Sequence, residues 1–257
     1  MDVIELQEFY ADPLGLVARR MIAHRIRARV NNLKGRTVVG LGYATPYLDG
    51  WRDEVETVLG FMPARQGVAR WPRNCPNVAA LVDDGELPLP DGCIDIVLIV
   101  HGLEFTENLS ESLREVWRVI KPGGKVVIVV PNRRGLWARR DSTPFGHGRP
   151  FSRGQISRLL REAMFDPGSW AYALFVPPFN RAFLRRSAAW WERIGLRLWQ
   201  GFAGVIIVEA TKQVYATVGD KRGRRVPARL KPALSPVPGG VTTASPKAVT
   251  RDRQPVS

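Results

Sequence analysis

Short apolar runs alternate with segments of helical periodicity along most of the chain. Seven of these runs have the length of buried strands, and they cover residues 37–41, 55–59, 78–82, 94–100, 125–130, 170–176 and 205–210. The run at 94–100 is nearly continuous, as expected for a central parallel strand. Alternation of this kind is typical of βαβ units. We therefore expect an α/β fold: a doubly wound, mostly parallel seven-stranded sheet with helices on both faces.

Four segments between or before these runs are predicted to be helical. Residues 1–32 form an N-terminal helical segment that Asp12-Pro13 interrupts. Residues 109–120 repeat apolar positions at helical spacing, and Pro122-Gly123-Gly124 is predicted to stop that helix. Ser152 and Gln155 have the spacing of a capping box, which predicts a helix to about residue 164. A fourth helix is predicted over residues 181–199.

Charge divides the chain into two parts. The net charge is +14, and residues 219–257 carry nine Lys/Arg against two acids, or half of the excess. That segment is rich in Pro, Gly, Ser and Thr, so it cannot bury enough apolar surface to offset its chain entropy. We expect one domain over residues 1–218 and a disordered basic tail over 219–257. The tail is interpreted as a solubilising extension, with an arm for nucleic acid as the alternative.

Cysteine content and hydropathy bear on location. Two cysteines, Cys75 and Cys93, are too few for a disulfide framework, and no zinc pattern occurs, so no metal is expected. The N-terminus lacks the apolar core of a signal peptide, and no run of about 18 apolar residues predicts a membrane span. The expected location is the cytoplasm. The oligomeric state is left open.

A glycine loop follows the first predicted strand. Gly40-Leu41-Gly42-Tyr43-Ala44-Thr45 departs from the GxGxxG of dinucleotide-binding folds, which needs a small residue at Thr45. It comes close to GxGxG, with Ala44 in the third place. Glycines at such a turn let a ligand approach the backbone closely.

Two further segments carry a family resemblance. Residues 82–97 place an acidic loop before Leu87-Pro88 and then Ile94-Asp95-Ile96, and residues 115–124 read E-V-W-R-V-I-K-P-G-G. In this order, and with the glycine loop, residues 37–165 resemble the class I S-adenosylmethionine-dependent methyltransferases of the type 11 branch. The resemblance implies a Rossmann-like methyltransferase fold and S-adenosylmethionine as the cofactor.

The resemblance also assigns cofactor contacts. It implies that Gly40, Gly42 and Ala44 line the methionine and ribose, and that Asp83, with Asp84, accepts a hydrogen bond from the adenine amino group. Ionised carboxylates accept strongly from such donors. The alternative interpretation of the two aspartates is turn formation and helix capping.

Two departures from the family pattern concern the cofactor. Val39 stands where relatives carry an acid before the first glycine, and the end of the second strand reads Gly60-Phe61-Met62-Pro63 without one. Glu54 and Glu56 come earlier, at the strand's start. The missing ribose anchor predicts weak cofactor binding, a substitute contact from Tyr43 or Tyr47, or no binding.

Candidate acceptor-side residues follow two strands. His101 comes directly after the fourth strand and is the first candidate for a general base, with His147 as the second. The alternative is that both bond backbone or brace loops. Arg133 and Arg134 follow the fifth strand, where an arginine pair suits a carboxylate or phosphate of the substrate.

Arginines also interleave with aromatic residues near 181–199, which suits RNA or a lipid surface, although aromatic residues at helical spacing usually belong to a core. The first functional hypothesis is a methyltransferase acting on a small-molecule, anionic acceptor. The second is a non-catalytic relative that binds or regulates and has lost the cofactor. The third, a nucleotide-dependent oxidoreductase, lacks the required glycine spacing.

Overall fold

The structure, a computed structural model, describes residues 1–178, 190–193, 195 and 200–214. The chain divides into two units, Met1–Ala216 and Thr217–Ser257, and every described residue lies in the first. The predicted basic tail therefore lies outside the described residues. So does most of the helix predicted over 181–199, of which residues 190–193 and 195 are described and helical.

Seven strands form a single sheet in the order β3-β2-β1-β4-β5-β7-β6. Neighbouring strands are parallel except for β7, which runs antiparallel to β5 and β6. This confirms the predicted doubly wound sheet. The strand bounds are β1 Thr37–Gly42, β2 Thr57–Pro63, β3 Ala79–Val82, β4 Ile94–Val100, β5 Ile120–Pro131, β6 Phe165–Ala173 and β7 Val205–Lys212.

Side-chain caps fix where several helices begin. Asp2 caps the first helix in a capping box with Glu5, and Asp12 caps the second, which starts at Pro13. Ser152 and Gln155 form the predicted capping box. The helix bounds are α1 Val3–Ala11, α2 Pro13–Arg27, α3 Thr45–Leu48, α4 Leu109–Val119 and α5 Arg153–Glu162.

Three strands differ in extent from the sequence prediction. β2 was expected at 55–59 but runs to Pro63, because Gly60 stays in the strand, level with Gly40 of β1. β5 begins at Ile120, so Pro122-Gly123-Gly124 lies inside the strand and not at a helix stop. β6 starts earlier than expected, at Phe165, with a register shift that accommodates the turn-like residues 167–170.

The sheet is buried on both faces. All seven residues of β4 are buried, which explains its continuous apolar sequence. One core cluster packs α1, α2 and α3 against the sheet, and the other packs α4 and α5 against the opposite face. Within the part of the chain that is described, no helix has the length and apolar character to cross a bilayer.

The carboxyl ends of β1, β2 and β4 are covered by two segments. Residues 64–78, all described, join β2 to β3 without a regular helix. The start of α1 is tied to this connection, because the Val3 amide donates to the Gln66 carbonyl at 2.8 Å. Gln66 Nε2 in turn donates to the His101 carbonyl at 2.9 Å. This edge, where open α/β sheets bind ligands, is therefore partly closed by protein.

The opposite edge of the sheet supports one prediction. Burial alone would raise the pKa of Asp95, but hydrogen bonds from Lys121, Thr37 and Arg36 together hold that pKa below its usual value. A carboxyl whose pKa is lower in the folded state than in the unfolded state stabilises the fold above about pH 4. This stabilisation is lost as the pH falls through the folded-state pKa. We expect Asp95→Asn to lower the free energy of unfolding by about 2 kcal/mol at pH 7.

The measurement is urea denaturation of both proteins from pH 7 down to pH 2.5. The difference between wild type and Asp95→Asn should shrink steadily below pH 4. A difference that stays constant across this range would show that the Asp95 charge does not stabilise the fold.

Candidate active site

The glycine loop turns where β1 meets its neighbours. Gly42 has φ of +80°, and a Cβ added there would lie 2.4 Å from the Val100 carbonyl oxygen. A Cβ on Gly40 would lie 2.6 Å from a methyl of Leu48 and 2.8 Å from the Ala44 Cβ. Both glycines are therefore required by the protein's own packing: Gly42 against β4, and Gly40 against α3.

The end of β2 carries a thioether in place of an acid. Met62 is fully buried, and its sulfur accepts a hydrogen bond from the Ala69 amide at 3.4 Å. The next charged residue is Arg65, a cation. Glu54 and Glu56 lie before β2, away from this edge, as expected from the sequence. The end of the strand therefore has no carboxylate for ribose hydroxyls.

A cleft of about 530 Å³ opens beside this point, over the ends of β2 and β3 and the start of α4. We call it the acidic cleft. Its charged lining comprises one arginine, Arg65, and five carboxylates. The carboxylates are Asp83, Asp84, Glu86, Glu107 and Glu111. The chain has a net charge of +14, but this lining is acidic, so the cleft attracts cations.

The two predicted adenine-binding aspartates lie in the acidic cleft, in different environments. Asp83 is exposed, and its Oδ1 accepts from the Gly85 amide at 2.9 Å, which is a turn contact. Asp84 is ion-paired with Arg65 and accepts from the Thr106 hydroxyl at 2.8 Å. Asp84 is therefore held in place, whereas Asp83 has its second oxygen available at the mouth of the cleft.

A clamp from α4 fixes the loop that follows these aspartates. Arg118 donates to the Leu87 and Leu89 carbonyls at 3.1 and 2.9 Å, and Glu115 accepts from the Leu87 amide at 2.8 Å. Arg118 lowers the pKa of Glu115, so that carboxylate is charged. This E-x-x-R pair, part of the family resemblance, therefore fixes the loop that directly follows Glu86 of the acidic cleft.

His101, the first candidate base, is buried in a hydrogen-bonded chain. Its Nε2 lies 2.8 Å from Tyr10 Oη, its Nδ1 lies 3.1 Å from Glu104 Oε1, and Tyr10 Oη lies 2.8 Å from Tyr47 Oη. Burial raises the pKa of Tyr10 well above its usual value, so its hydroxyl stays protonated. The ring is 1% exposed. A substrate would not reach it without movement of α1.

His147, the second candidate, is more open. Its Nε2 lies 2.7 Å from the Asp141 carbonyl oxygen, which can only accept, so the proton is on Nε2. In the tautomer with the proton on Nε2, Nδ1 carries the lone pair that could accept a proton. His147 lines a separate cleft between α1 and residues 140–144.

Arg133 and Arg134 are exposed after β5 and do not line the acidic cleft. Arg133 donates to the Pro150 carbonyl at 3.4 Å, and Arg134 is held through its backbone amide by Asn132. The structure therefore does not bring this pair together with Asp83 and Asp84.

Comparisons with known proteins agree with this architecture. Residues 38–128 match a family model described as a methyltransferase domain. A probable S-adenosylmethionine-dependent methyltransferase of Mycolicibacterium smegmatis is 34% identical over 83 residues, 32% of each chain. A demethylmenaquinone methyltransferase of Tropheryma whipplei is 31% identical over 96 residues, 37% of this chain and 38% of its own. The matched segment thus spans about a third of these curated relatives.

Solved structures extend the likeness to most of the described chain. A methyltransferase of Thermotoga maritima, described as a possible histamine N-methyltransferase, superposes with a TM-score of 0.59 at 17% identity, covering 82% of this chain and 96% of its own. A Haloferax volcanii putative methyltransferase complex gives 0.54 at 18% identity, covering 76% and 89%. Fold and carboxyl-edge cleft define a Rossmann-like α/β protein. Residues 38–128 match the methyltransferase-domain family, and the fold is that of the solved S-adenosylmethionine-dependent methyltransferases.

Proposed function

We propose that this protein is an S-adenosylmethionine-dependent methyltransferase acting on a small-molecule acceptor, and that the acidic cleft receives the adenosyl end of the cofactor. The acidic cleft itself carries the proposal. Every residue that lines it falls within the segment matched by the family model. Its charge suits a cofactor whose sulfonium and ammonium outweigh its carboxylate.

The residues fit this cofactor at one end. Asp83 offers a free carboxylate oxygen at the cleft mouth, where it would accept from the adenine amino group. Asp84, pinned by Arg65 and Thr106, would shape the adenine subsite and not contact the ligand freely. At the ribose the fit is poorer, because Met62 replaces the usual acid. Losing one charged hydrogen bond weakens binding by about 1.5–3 kcal/mol, so we expect modest affinity.

Bound S-adenosylmethionine supplies a methyl group on a sulfonium, which is a good leaving group. The task of the protein is then mainly to position the acceptor in line with that group. The clamp formed by Glu115 and Arg118 holds the loop after Glu86, next to the cleft, in place before the ligand arrives. An acceptor that must lose a proton could use Nδ1 of His147, the more open of the two candidate histidines.

A specific observation favours a second candidate, the non-catalytic binding protein. The chain from Tyr47 through Tyr10 and His101 to Glu104 fills the space over the ends of β1 and β4 with hydrogen-bonded side chains. These buried side chains, together with Met62 in place of an acid, would suit a protein that kept the methyltransferase fold and does not catalyse methyl transfer.

Titration of the wild type with S-adenosylmethionine separates the two candidates, and Asp83→Asn tests whether the acidic cleft is the binding site. We expect wild type to bind S-adenosylmethionine in calorimetry, and Asp83→Asn to bind at least about tenfold more weakly, since a charged acceptor is removed. Asp53→Asn is the matched control: Asp53 is an exposed aspartate outside the acidic cleft, and its variant should bind as wild type does. No heat and no thermal shift with millimolar cofactor would favour the non-catalytic candidate.

A further inference from the structure

We propose that a second cleft, on the other side of the end of β2, binds a planar aromatic compound carrying a carboxylate or phosphate. This basic cleft has a volume of about 340 Å³ and is lined by three arginines and three aromatic residues. They are Arg19, Arg70, Arg73, Tyr10, Tyr43 and Trp71. The binding of such a compound does not depend on the proposed function. The role of the basic cleft as the acceptor subsite does, because it rests on the proposed methyl transfer.

The charge of the basic cleft is opposite to that of the acidic cleft. Its three arginines face one carboxylate, Asp49. Asp49 is already engaged by Arg19 at 3.4 Å and by the Trp71 indole N–H at 2.7 Å. Arg70 donates to the Cys75 carbonyl, which leaves its charge unbalanced. Excess positive charge over a recessed surface attracts an anion, and guanidinium groups match carboxylate and phosphate oxygens in geometry.

Tyr43 gives an observation independent of the arginines. Its side chain lines the basic cleft and the residue is only 6% exposed, yet its hydroxyl has no hydrogen-bond partner among the described residues. Burial raises the pKa of Tyr43 to about 12, while the nearby charge of Arg73 acts to lower it. The hydroxyl is therefore protonated at neutral pH. A hydroxyl that has no protein partner and lies on the wall of a cleft can donate to an oxygen of a bound ligand.

The remaining lining selects a flat, apolar body. Trp71 is 7% exposed and its ring is fixed by the bond to Asp49, and Met62 lies at the base of the cleft. Tyr10 and Tyr43 pack with ring centroids 5.7 Å apart. Rigid aromatic walls favour a ring that stacks or meets them edge-on. The volume admits a compound of one or two rings.

The two clefts flank the end of β2. Met62 lines the basic cleft and Pro63 lines the acidic cleft, and consecutive strand residues project to opposite faces. A cationic donor in one cleft and an anionic acceptor in the other would approach each other across this strand end. Their opposite charges would also keep each ligand out of the other's cleft. This arrangement gives the acceptor class: a small aromatic acid or aryl phosphate.

The test uses the full chain and four probes: 2-naphthoate, 2-naphthyl phosphate, neutral 2-naphthol and non-planar cyclohexanecarboxylate, each titrated by calorimetry. We expect one or both naphthyl anions to bind, and the other two probes to bind at least about tenfold more weakly. The carboxylate and phosphate arms identify the preferred anion. Arg73→Glu should weaken anion binding by about tenfold or more, and Tyr43→Phe by roughly threefold or more.

Arg158→Glu is the matched control. Arg158 is an exposed arginine on α5, and its variant should bind the anions within about twofold of wild type. Equal affinity for 2-naphthol and 2-naphthoate, unchanged binding in Arg73→Glu, or no binding of either anion at millimolar concentration would overturn the proposal.

S-adenosylmethionine titrations of the same variants separate the two clefts. Arg73→Glu should keep cofactor affinity, and a loss as large as that in Asp83→Asn would show that the basic cleft belongs to the cofactor site. If S-adenosylmethionine fails to bind the wild type while the anions bind, the basic cleft is still an anion-binding site, and only its role as the acceptor subsite is rejected.

Discussion

Gly42→Ala is expected to lower the free energy of unfolding by about 3 kcal/mol or more in the protein without any ligand. The φ of +80° alone costs an L-residue about 1–2 kcal/mol. The added Cβ would also lie 2.4 Å from the Val100 carbonyl oxygen and 2.9 Å from the Gly102 amide nitrogen. Both contacts are with backbone of the central strand region, which cannot rotate away.

The measurement is urea denaturation of Gly42→Ala beside Gly50→Ala. At Gly50 an added Cβ meets nothing within 4 Å, so that variant should stay within about 0.5 kcal/mol of wild type. If Gly42 were a glycine only to admit a cofactor, Gly42→Ala would unfold like wild type and lose S-adenosylmethionine affinity alone. That result would contradict the packing role argued above.

Local sequence signals explain what could be predicted of the fold. The Ile94–Val100 strand and the Ser152 capping box match the structure because each is written in a few adjacent residues. The extents of β2 and β6 could not be read in this way. Gly60 remains in its strand because β1 pairs with it on one side, and residues 165–169 of β6 continue along β7 through a register shift. Pairing of this kind is set by tertiary context.

The candidate site likewise has a part that adjacent residues predict and a part that only tertiary contacts create. The motif at residues 82–97 draws attention to Asp83 and Asp84, which line the acidic cleft, and their contact with the adenine stays a prediction. Sequence reasoning missed Arg65 as the partner of Asp84, because the two are brought together only by the pairing of β2 with β3. It also missed Tyr10, which reaches His101 across 91 positions of sequence.

Tyr43 or Tyr47 was predicted to replace a missing cofactor contact, and this stays a prediction. The structure places Tyr43 in the basic cleft, where its hydroxyl has no hydrogen-bond partner among the described residues. Neither the arginines around it nor the ring of Trp71 could be assigned to that cleft beforehand. Arg70, Trp71 and Arg73 lie within an irregular connection that has no helical or strand periodicity, and Arg19 lies far away in sequence on α2.

His101→Asn is expected to cost about 3 kcal/mol of unfolding free energy and to leave S-adenosylmethionine affinity nearly unchanged. His101 has φ of +50°, a conformation that asparagine also adopts readily, so the variant tests the ring and not the backbone. Loss of the ring removes the bonds to Tyr10 and Glu104. Glu104 Oε2 already has no partner among the described residues, so its buried carboxylate would lose its Oε1 partner as well.

Two comparisons make this result specific. His147→Asn removes one bond to a backbone carbonyl at a partly exposed position, and should cost less than about 1 kcal/mol. Tyr10→Phe combined with His101→Asn should cost less than the sum of the two single variants, because both remove the same hydrogen bond. A general base would behave differently: His101→Asn would then fold as wild type, and turnover of an aromatic acid acceptor would fall by about 10²–10⁴. The burial of the ring under α1 argues for the structural outcome, since a base must come within hydrogen-bond reach of the proton it removes.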